Sequence, residues 1–383
     1  MRSEEGSSWH LAVPGQEALL LEGDVSSLTP RPMADGGSGA VAAGVLFDGS
    51  AAPQLFVLAL DARLCVLSAW RRSLEPAEAI LQDLLALPDG GLALGGWIPG
   101  PEGREDRDAW VARFGPKGEL LWQVTEGAFL YTSDELNTPS REAVQALAYD
   151  ADLGLLAAGA ADINQVLHSN WLLVLDHDGR LLRRIDLPRD DPRVAGEITA
   201  LALAGDGSLW LAGVLAPLTP EADAWLLRLG QDDKVLWDRR YGEPREQWVG
   251  AVAPFGDGGR KGLLVVGRQD AEQGSDAWVA AVDGTGTPLW SSVLKRQASG
   301  VETFHAALWT GASLVAGGSY GERGVLVRAW LASFDPDGQQ VTVETPEAAS
   351  LWALLAWSEG RFLGGGSDAA GRPLLFLTSL GSP

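Results

Sequence analysis

One cysteine in 383 residues, four histidines and only four lysines set the first limits on this chain. With Cys65 alone, no internal disulfide can form and no thiolate-based metal site can assemble. Its neighbours Leu64, Val66 and Leu67 are apolar, so the thiol is expected to be a small buried hydrophobe. No apolar run approaches the roughly 18 residues that a membrane-spanning helix needs. The stretch Met1-Arg2-Ser3-Glu4-Glu5-Gly6 has no secretory hydrophobic region, so the protein is expected either to stay inside the cell or to have lost a leader.

Positive charge is also scarce. Lys and Arg number 29 against 51 Asp and Glu, a net charge of −22. Nucleic acid needs clustered cations to displace its counterions, and anionic lipid needs them for docking, so neither partner is expected. No P-loop and no His-Glu-x-x-His occurs, and the sequence names no nucleophile. Long runs of 3.6-residue periodicity are missing, which argues against helical architectures.

What is present is apolar bulk and punctuation: 46% apolar residues, 16 Trp, 48 Gly and 21 Pro. That mixture suits many short strands joined by turns. The phrase Asp223-Ala224-Trp225 … Leu236-Trp237 sets two apolar runs around a polar turn, the pattern of a hairpin with one buried face. It recurs as Asp108-Ala109-Trp110 … Leu121-Trp122 and as Asp276-Ala277-Trp278 … Leu289-Trp290, the two Trp being 12 residues apart each time. Alignment on the first aromatic gives Phe56, Trp110, Trp171, Trp225, Trp278, Trp330 and Phe376. A small-residue strand closing on glycine precedes each, at Gly44, Gly96, Gly159, Gly213, Gly267, Gly317 and Gly365. Both markers count seven.

Four short strands in about 50 residues is the size of a propeller blade. A right-handed β-helix is the rival, but its repeats are shorter. The expectation is therefore an all-β, single seven-bladed β-propeller of four-stranded antiparallel blades. The blades fall over 22–74, 75–127, 140–187, 194–241, 245–295, 301–345 and 347–383 plus 7–13. The N-terminal strand around Trp9 would close the last blade and remove open edges. Three units depart from the pattern, with Ser68, Arg183 and Thr342 in the place of the second Trp.

The phrase Asp-Ala-Trp … Gly-x-x-Leu-Trp resembles repeats of bacterial, often exported, β-propeller proteins. Its final part, as in Gly118-Glu119-Leu120-Leu121-Trp122, is similar to the tryptophan-docking repeat of quinoprotein-type propellers and their non-enzymatic scaffold relatives. The resemblance implies an exported or envelope location. A quinoprotein would also imply adjacent cysteines beside its cofactor and eight blades, and this chain departs on both counts. No quinone cofactor is expected.

Candidate sites lie where the copies differ. An acidic residue stands just before each unit's first strand: Glu22, Glu78, Glu142, Glu197, Glu246, Glu302 and Glu347. In a propeller that strand lines the channel, so these carboxylates could form an electronegative funnel for Ca2+, another divalent cation or a cationic ligand. The other reading is structural, with each Glu bonding backbone amides or an Arg such as Arg141 or Arg245. Asp108, Asp223 and Asp276, before the anchor Trp, are expected to cap the preceding loop. The Asp-x-Asp-Gly stretches at 176–179 and 335–338 read as hairpin turns, since a calcium loop's distal Glu is absent.

Of His10, His168, His177 and His305, only His305 falls on a channel strand, where it could serve as acid, base or metal ligand. The segment 125–140 breaks the period and carries Phe129, Leu130 and Tyr131, which would either meet a partner or pack on a blade edge. The functional expectation is a non-enzymatic, monomeric scaffold presenting an acidic mouth and loops to a protein or glycan partner. The alternative is a channel-mouth lyase or hydrolase using His305 with Glu302.

Overall fold

The structure, a computed structural model, describes residues 8–10, 22–33, 37–47, 53–100, 103–126, 140–152, 154–163, 167–187, 196–216, 222–242, 245–257, 260–296, 300–322, 326–346, 348–357 and 361–379. Among them every regular element is a β-strand, and no helix is long and apolar enough to cross a membrane.

The strands pair in fours, antiparallel and in chain order. A short strand, β1 (Ser8–His10), stands ahead of the first four, which are β2 (Glu22–Pro32), β3 (Ser38–Phe47), β4 (Gln54–Leu60) and β5 (Val66–Ser73). There follow β6 (Ile80–Ala86), β7 (Leu92–Gly100), β8 (Gly103–Phe114) and β9 (Leu120–Glu126). The next are β10 (Ser140–Asp150), β11 (Gly154–Ile163), β12 (Leu167–Leu175) and β13 (Leu181–Leu187). Then come β14 (Gly196–Leu203), β15 (Leu209–Leu215), β16 (Asp223–Leu229) and β17 (Val235–Tyr241). Next are β18 (Gln247–Asp257), β19 (Arg260–Ala271), β20 (Gly274–Asp283) and β21 (Pro288–Leu294). The following set is β22 (Gly300–Trp309), β23 (Leu314–Glu322), β24 (Leu326–Phe334) and β25 (Gln340–Glu344). The last is β26 (Ala353–Ala356), β27 (Arg361–Ser367) and β28 (Pro373–Ser379), and β1 completes it by pairing with β28 through Trp9 opposite Leu375. Short parallel contacts, Arg141 with Arg107 and Gly274 with Gly300, fuse two pairs of neighbouring sheets.

Consecutive sheets pack face to face, each pair sharing one apolar cluster. One joins Leu87, Ala93 and Val111 to Val144, Ala157 and Trp171. Another joins the last sheet to the first, with Leu363, Leu375 and Leu377 against Val25, Ala42 and Phe56. The first strands touch in cyclic order, from β2 to β6, β10, β14, β18, β22, β26 and back to β2. Radial four-stranded sheets in such a ring are a β-propeller. Second and third strands are buried on both faces, which is why they read as continuous apolar runs rather than alternations.

The recurring glycine stands opposite the anchor ring: Gly159 pairs with Trp171, Gly213 with Trp225 and Gly267 with Trp278. A Cβ at Gly159 would lie 2.3 Å from the Trp171 ring, so only glycine leaves room for the indole. In the sixth and last copies the matching residue is one further on. Gly318 faces Trp330, and Gly366 faces Leu374, so Leu374 rather than Phe376 holds the last anchor place.

The outer hairpins carry the contacts between blades. Trp122 donates its indole N–H to His177 O at 2.9 Å, Trp237 to Gly284 O at 3.1 Å and Trp290 to Pro336 O at 3.2 Å. Each ring lies over a glycine in the neighbouring turn, respectively Gly179, Gly286 and Gly338. Arg113 and Arg228 add a second donor to two of those carbonyls, His177 O and Gly284 O, and pair with Asp89 and Asp206.

Two apparent gaps in the motif are filled in other ways. Ser68 is replaced as the docking residue by Trp70, whose ring covers Gly118. At Arg183 the guanidinium takes both oxygens of Asp233, at 2.9 and 2.8 Å, and Asp233 sits at φ 63° where other turns have glycine. Asp176 and Asp335 accept amides within their own turns, Asp178 and Arg180 in one, Asp337 and Gln339 in the other, as hairpin chemistry requires.

One expectation needs correction. Cys65 is exposed. The Asp61 turn places Leu64 at φ 61° and buries it, so the next residue opens the outermost strand toward solvent. Asp223 and Asp276 pair with Arg240 and with Lys295 (3.5 Å) on the outer strand side of their own blades.

Candidate functional site

Six of the first strands carry a bulge at one place, between Val25 and Ser27, Leu81 and Asp83, Val144 and Ala146, Ile198 and Ala200, Val249 and Ala251, and Phe304 and Ala306. The skipped residues are Ser26, Gln82, Gln145, Thr199, Gly250 and His305. In the last sheet Trp352 holds this place: its N–H donates to Gly365 O at 2.9 Å, while Ala353 is the residue paired with Gly365. A bulge bends its strand and re-aims a side chain. The preceding residues are buried except Leu81, which is half-buried, whereas the bulged ones are half-buried or exposed.

Neighbouring copies meet along this row. Thr199 Oγ1 donates to Val249 O at 2.8 Å, and a Cβ on Gly250 would lie 2.3 Å from Phe304 O. The His305 ring rests on Trp352 with centroids 4.1 Å apart, and Trp352 is 40% exposed. Burial pushes His305 down to about 4, with the nearby Arg268 charge adding to the effect, so the imidazole is neutral at physiological pH. Asp83, just past a bulge, accepts Leu147 N at 2.6 Å and Leu84 N at 2.7 Å; burial outweighs these bonds and raises it to about 6.

The five glutamates whose side chains the structure describes are not brought to one level. Counted back from the bulge, Glu142 and Glu302 stand three residues before it, Glu197 two, and Glu78 and Glu246 four. Side chains alternate between faces along a strand, so odd and even offsets point opposite ways. Glu142 and Glu302 share the inward face of Val144 and Phe304 and are buried, at 3% and 1% exposure. Both oxygens of Glu302 accept the Arg296 amide, at 2.8 and 2.9 Å. Glu78 is exposed and Glu246 half-buried. Glu197 is half-buried, and burial raises its pKa. Glu302 and His305 therefore do not face each other as an acid–base pair.

Among the described residues no three His, Cys, Asp or Glu side chains gather to hold a metal ion. The side chain of Glu22, together with Glu347, Phe129 and Tyr131, lies outside the described residues.

The sequence reading passes over the bulged row, because one inserted residue leaves no compositional mark. It also passes over Gly317-Gly318-Ser319-Tyr320-Gly321, a Gly-x-Ser-x-Gly stretch. That stretch runs through strand β23 with Ser319 paired to Thr303 and only 7% exposed, so it is not the strand-to-helix elbow that exposes a nucleophile.

No known family model and no curated protein matches this chain. Solved structures do. The crystal structure of Chaetomium thermophilum Raptor aligns with a TM-score of 0.53 and 11% identity, over 95% of this chain and 29% of that one. This chain thus spans under a third of Raptor's length. The Dos1 propeller gives 0.45 and 12%, over 92% and 82% of the two chains. The Pseudomonas aeruginosa periplasmic gluconolactonase PpgL gives 0.43 and 17%, over 95% and 97%. The Raptor likeness is one of fold, and the lower two add no argument about chemistry.

Proposed function

We propose that the chain is a single seven-bladed propeller domain, with blades bounded as the sequence expects, that works as a non-enzymatic binding scaffold. It presents the channel mouth and its variable loops to a protein or glycan partner. The cyclic contacts of the first strands, and the apolar cluster joining last sheet to first, support the blade count. One observation carries the binding role. The bulged row holds six residue types over seven copies, only Gln82 and Gln145 being alike, while the anchor glycines and docking hairpins recur. A shared structural duty favours one residue type, whereas recognition of an asymmetric partner does not. Catalysis by His305 with Glu302 is less well supported, since Glu302 is committed to the Arg296 amide.

The test is binding of the labelled full chain to glycan and protein arrays, repeated with Gln82→Ala and Trp352→Ala at the mouth and Leu236→Ser on the outer strand. The expected result is a partner whose binding falls at least tenfold with a mouth variant and is unchanged with Leu236→Ser. Binding indifferent to both mouth variants, or turnover of the bound molecule, would contradict the proposal.

A further inference from the structure

The bulged row is least uniform between Gly250 and Trp352, and there the chain leaves chemistry unused. Arg268 pairs across strands with Trp248, two residues before the bulge, and its guanidinium lies 5.1 Å from that indole. In a chain with 51 acidic residues, Arg268 has no carboxylate partner among the described residues. Its Nε and the Trp248 Nε1 are buried donors without an acceptor. Buried donors in native structures are almost always satisfied, so two on one cross-strand pair call for an acceptor from outside the chain. Guanidinium donors match the two oxygens of a carboxylate, and the indole N–H adds a third donor beside them.

The apolar half of the site is next to it. Gly250 places no side chain over this stretch, and the Arg268 charge reaches His305, whose ring backs Trp352 at 4.1 Å. Trp352 is left 40% exposed, an indole held in a fixed plane by the imidazole. Indole faces stack on flat rings and on the C–H faces of sugars. His305 is neutral, so Arg268 supplies the positive charge and an anion is favoured over a cation.

We propose that the mouth between Trp248, Arg268 and Trp352 binds a ring-bearing carboxylate, Arg268 holding the carboxylate and Trp352 stacking the ring. The ring is that of a uronic acid in an acidic glycan or of an aromatic acid. The inference rests on the binding role proposed above and narrows its ligand class.

Calorimetric titration of the full chain with D-galacturonate, D-galactose and benzoate tests it. One of the two carboxylates is expected to bind at least tenfold more tightly than galactose. Galacturonate identifies a glycan, benzoate an aromatic acid. Arg268→Gln is expected to cost that ligand at least tenfold, and Trp352→Ala a similar factor, with urea midpoints confirming that both variants fold. If neither carboxylate binds, if galactose binds equally well, or if Arg268→Gln has no effect, the inference is overturned. The scaffold reading would survive that outcome if an array partner were still lost in Trp352→Ala, and would fall only with the arrays.

Discussion

In the turn between β12 and β13, the carbonyl of His177 receives two donors from the preceding blade, Trp122 Nε1 at 2.9 Å and Arg113 at 3.1 Å. Because Arg113 remains when the indole N–H is removed, the acceptor is never left bare. Trp122→Phe should therefore cost only about 1 kcal/mol of stability in urea unfolding, and Trp122→Ala about 2–4 kcal/mol through lost packing. Equal losses would show that the N–H rather than the ring carries the contact. Two titrating groups of the mouth act against each other. Asp83 rises from 3.8 to about 6 on folding, so its contribution is full below 3.8 and lost as pH rises to 6. His305 falls from 6.5 to about 4, so its contribution is full above 6.5 and lost as pH falls to 4. Each shift corresponds to roughly 3 kcal/mol, and in the parent they nearly offset. Thermal unfolding of Asp83→Asn should show stability falling from pH 6.5 to 4, and His305→Gln the reverse. Parallel profiles for the two variants would contradict the assignment.

At the scale of the element, the hairpin was legible and the bulge was not. Trp pairs 12 residues apart, and apolar runs around Asp-Gly turns, state strand, turn and docking ring directly in residue type. A bulge shifts register by one residue without changing composition, and that shift decides which side of the strand Glu142, Glu197 and Glu302 occupy. The variable offset of the glutamates, visible in the sequence, thus becomes a difference of face as well as of level. Docking partners were half legible: Ser68 looked like a gap because Trp70 lies two residues on, and Arg183 because its compensation, Asp233, is 50 residues away. That exchange is reversible in principle. Asp233→Gly relieves the left-handed backbone at φ 63° but removes an ion pair, effects of about 1 kcal/mol each that should nearly cancel. Arg183→Trp with Asp233→Gly restores the ring-on-glycine contact and should raise the urea-derived stability by about 1–2 kcal/mol. A double variant less stable than either single one would show that the two contacts are not interchangeable.

For the whole molecule, the last sheet is completed by the first strand. β1 meets β28 through Ser8, Trp9 and His10, and the ring depends on a strand distant in sequence. Trp9→Pro removes a ladder donor there and should lower the unfolding midpoint and promote association through the bared edge. An unchanged midpoint in a monomer would mean that the ring closes without β1. The function proposed divides two duties: repeated outer hairpins hold blades together, and the varied inner row would recognise a partner. Hydrogen exchange of the full chain, alone and saturated with the partner selected on the arrays, tests that division most directly. The account predicts slowed exchange over Gln247–Asp257, Gly300–Trp309 and 348–357, with the turns at 283–287 and 335–339 unchanged. Protection confined to those outer turns, with the inner strands unaltered, would contradict it.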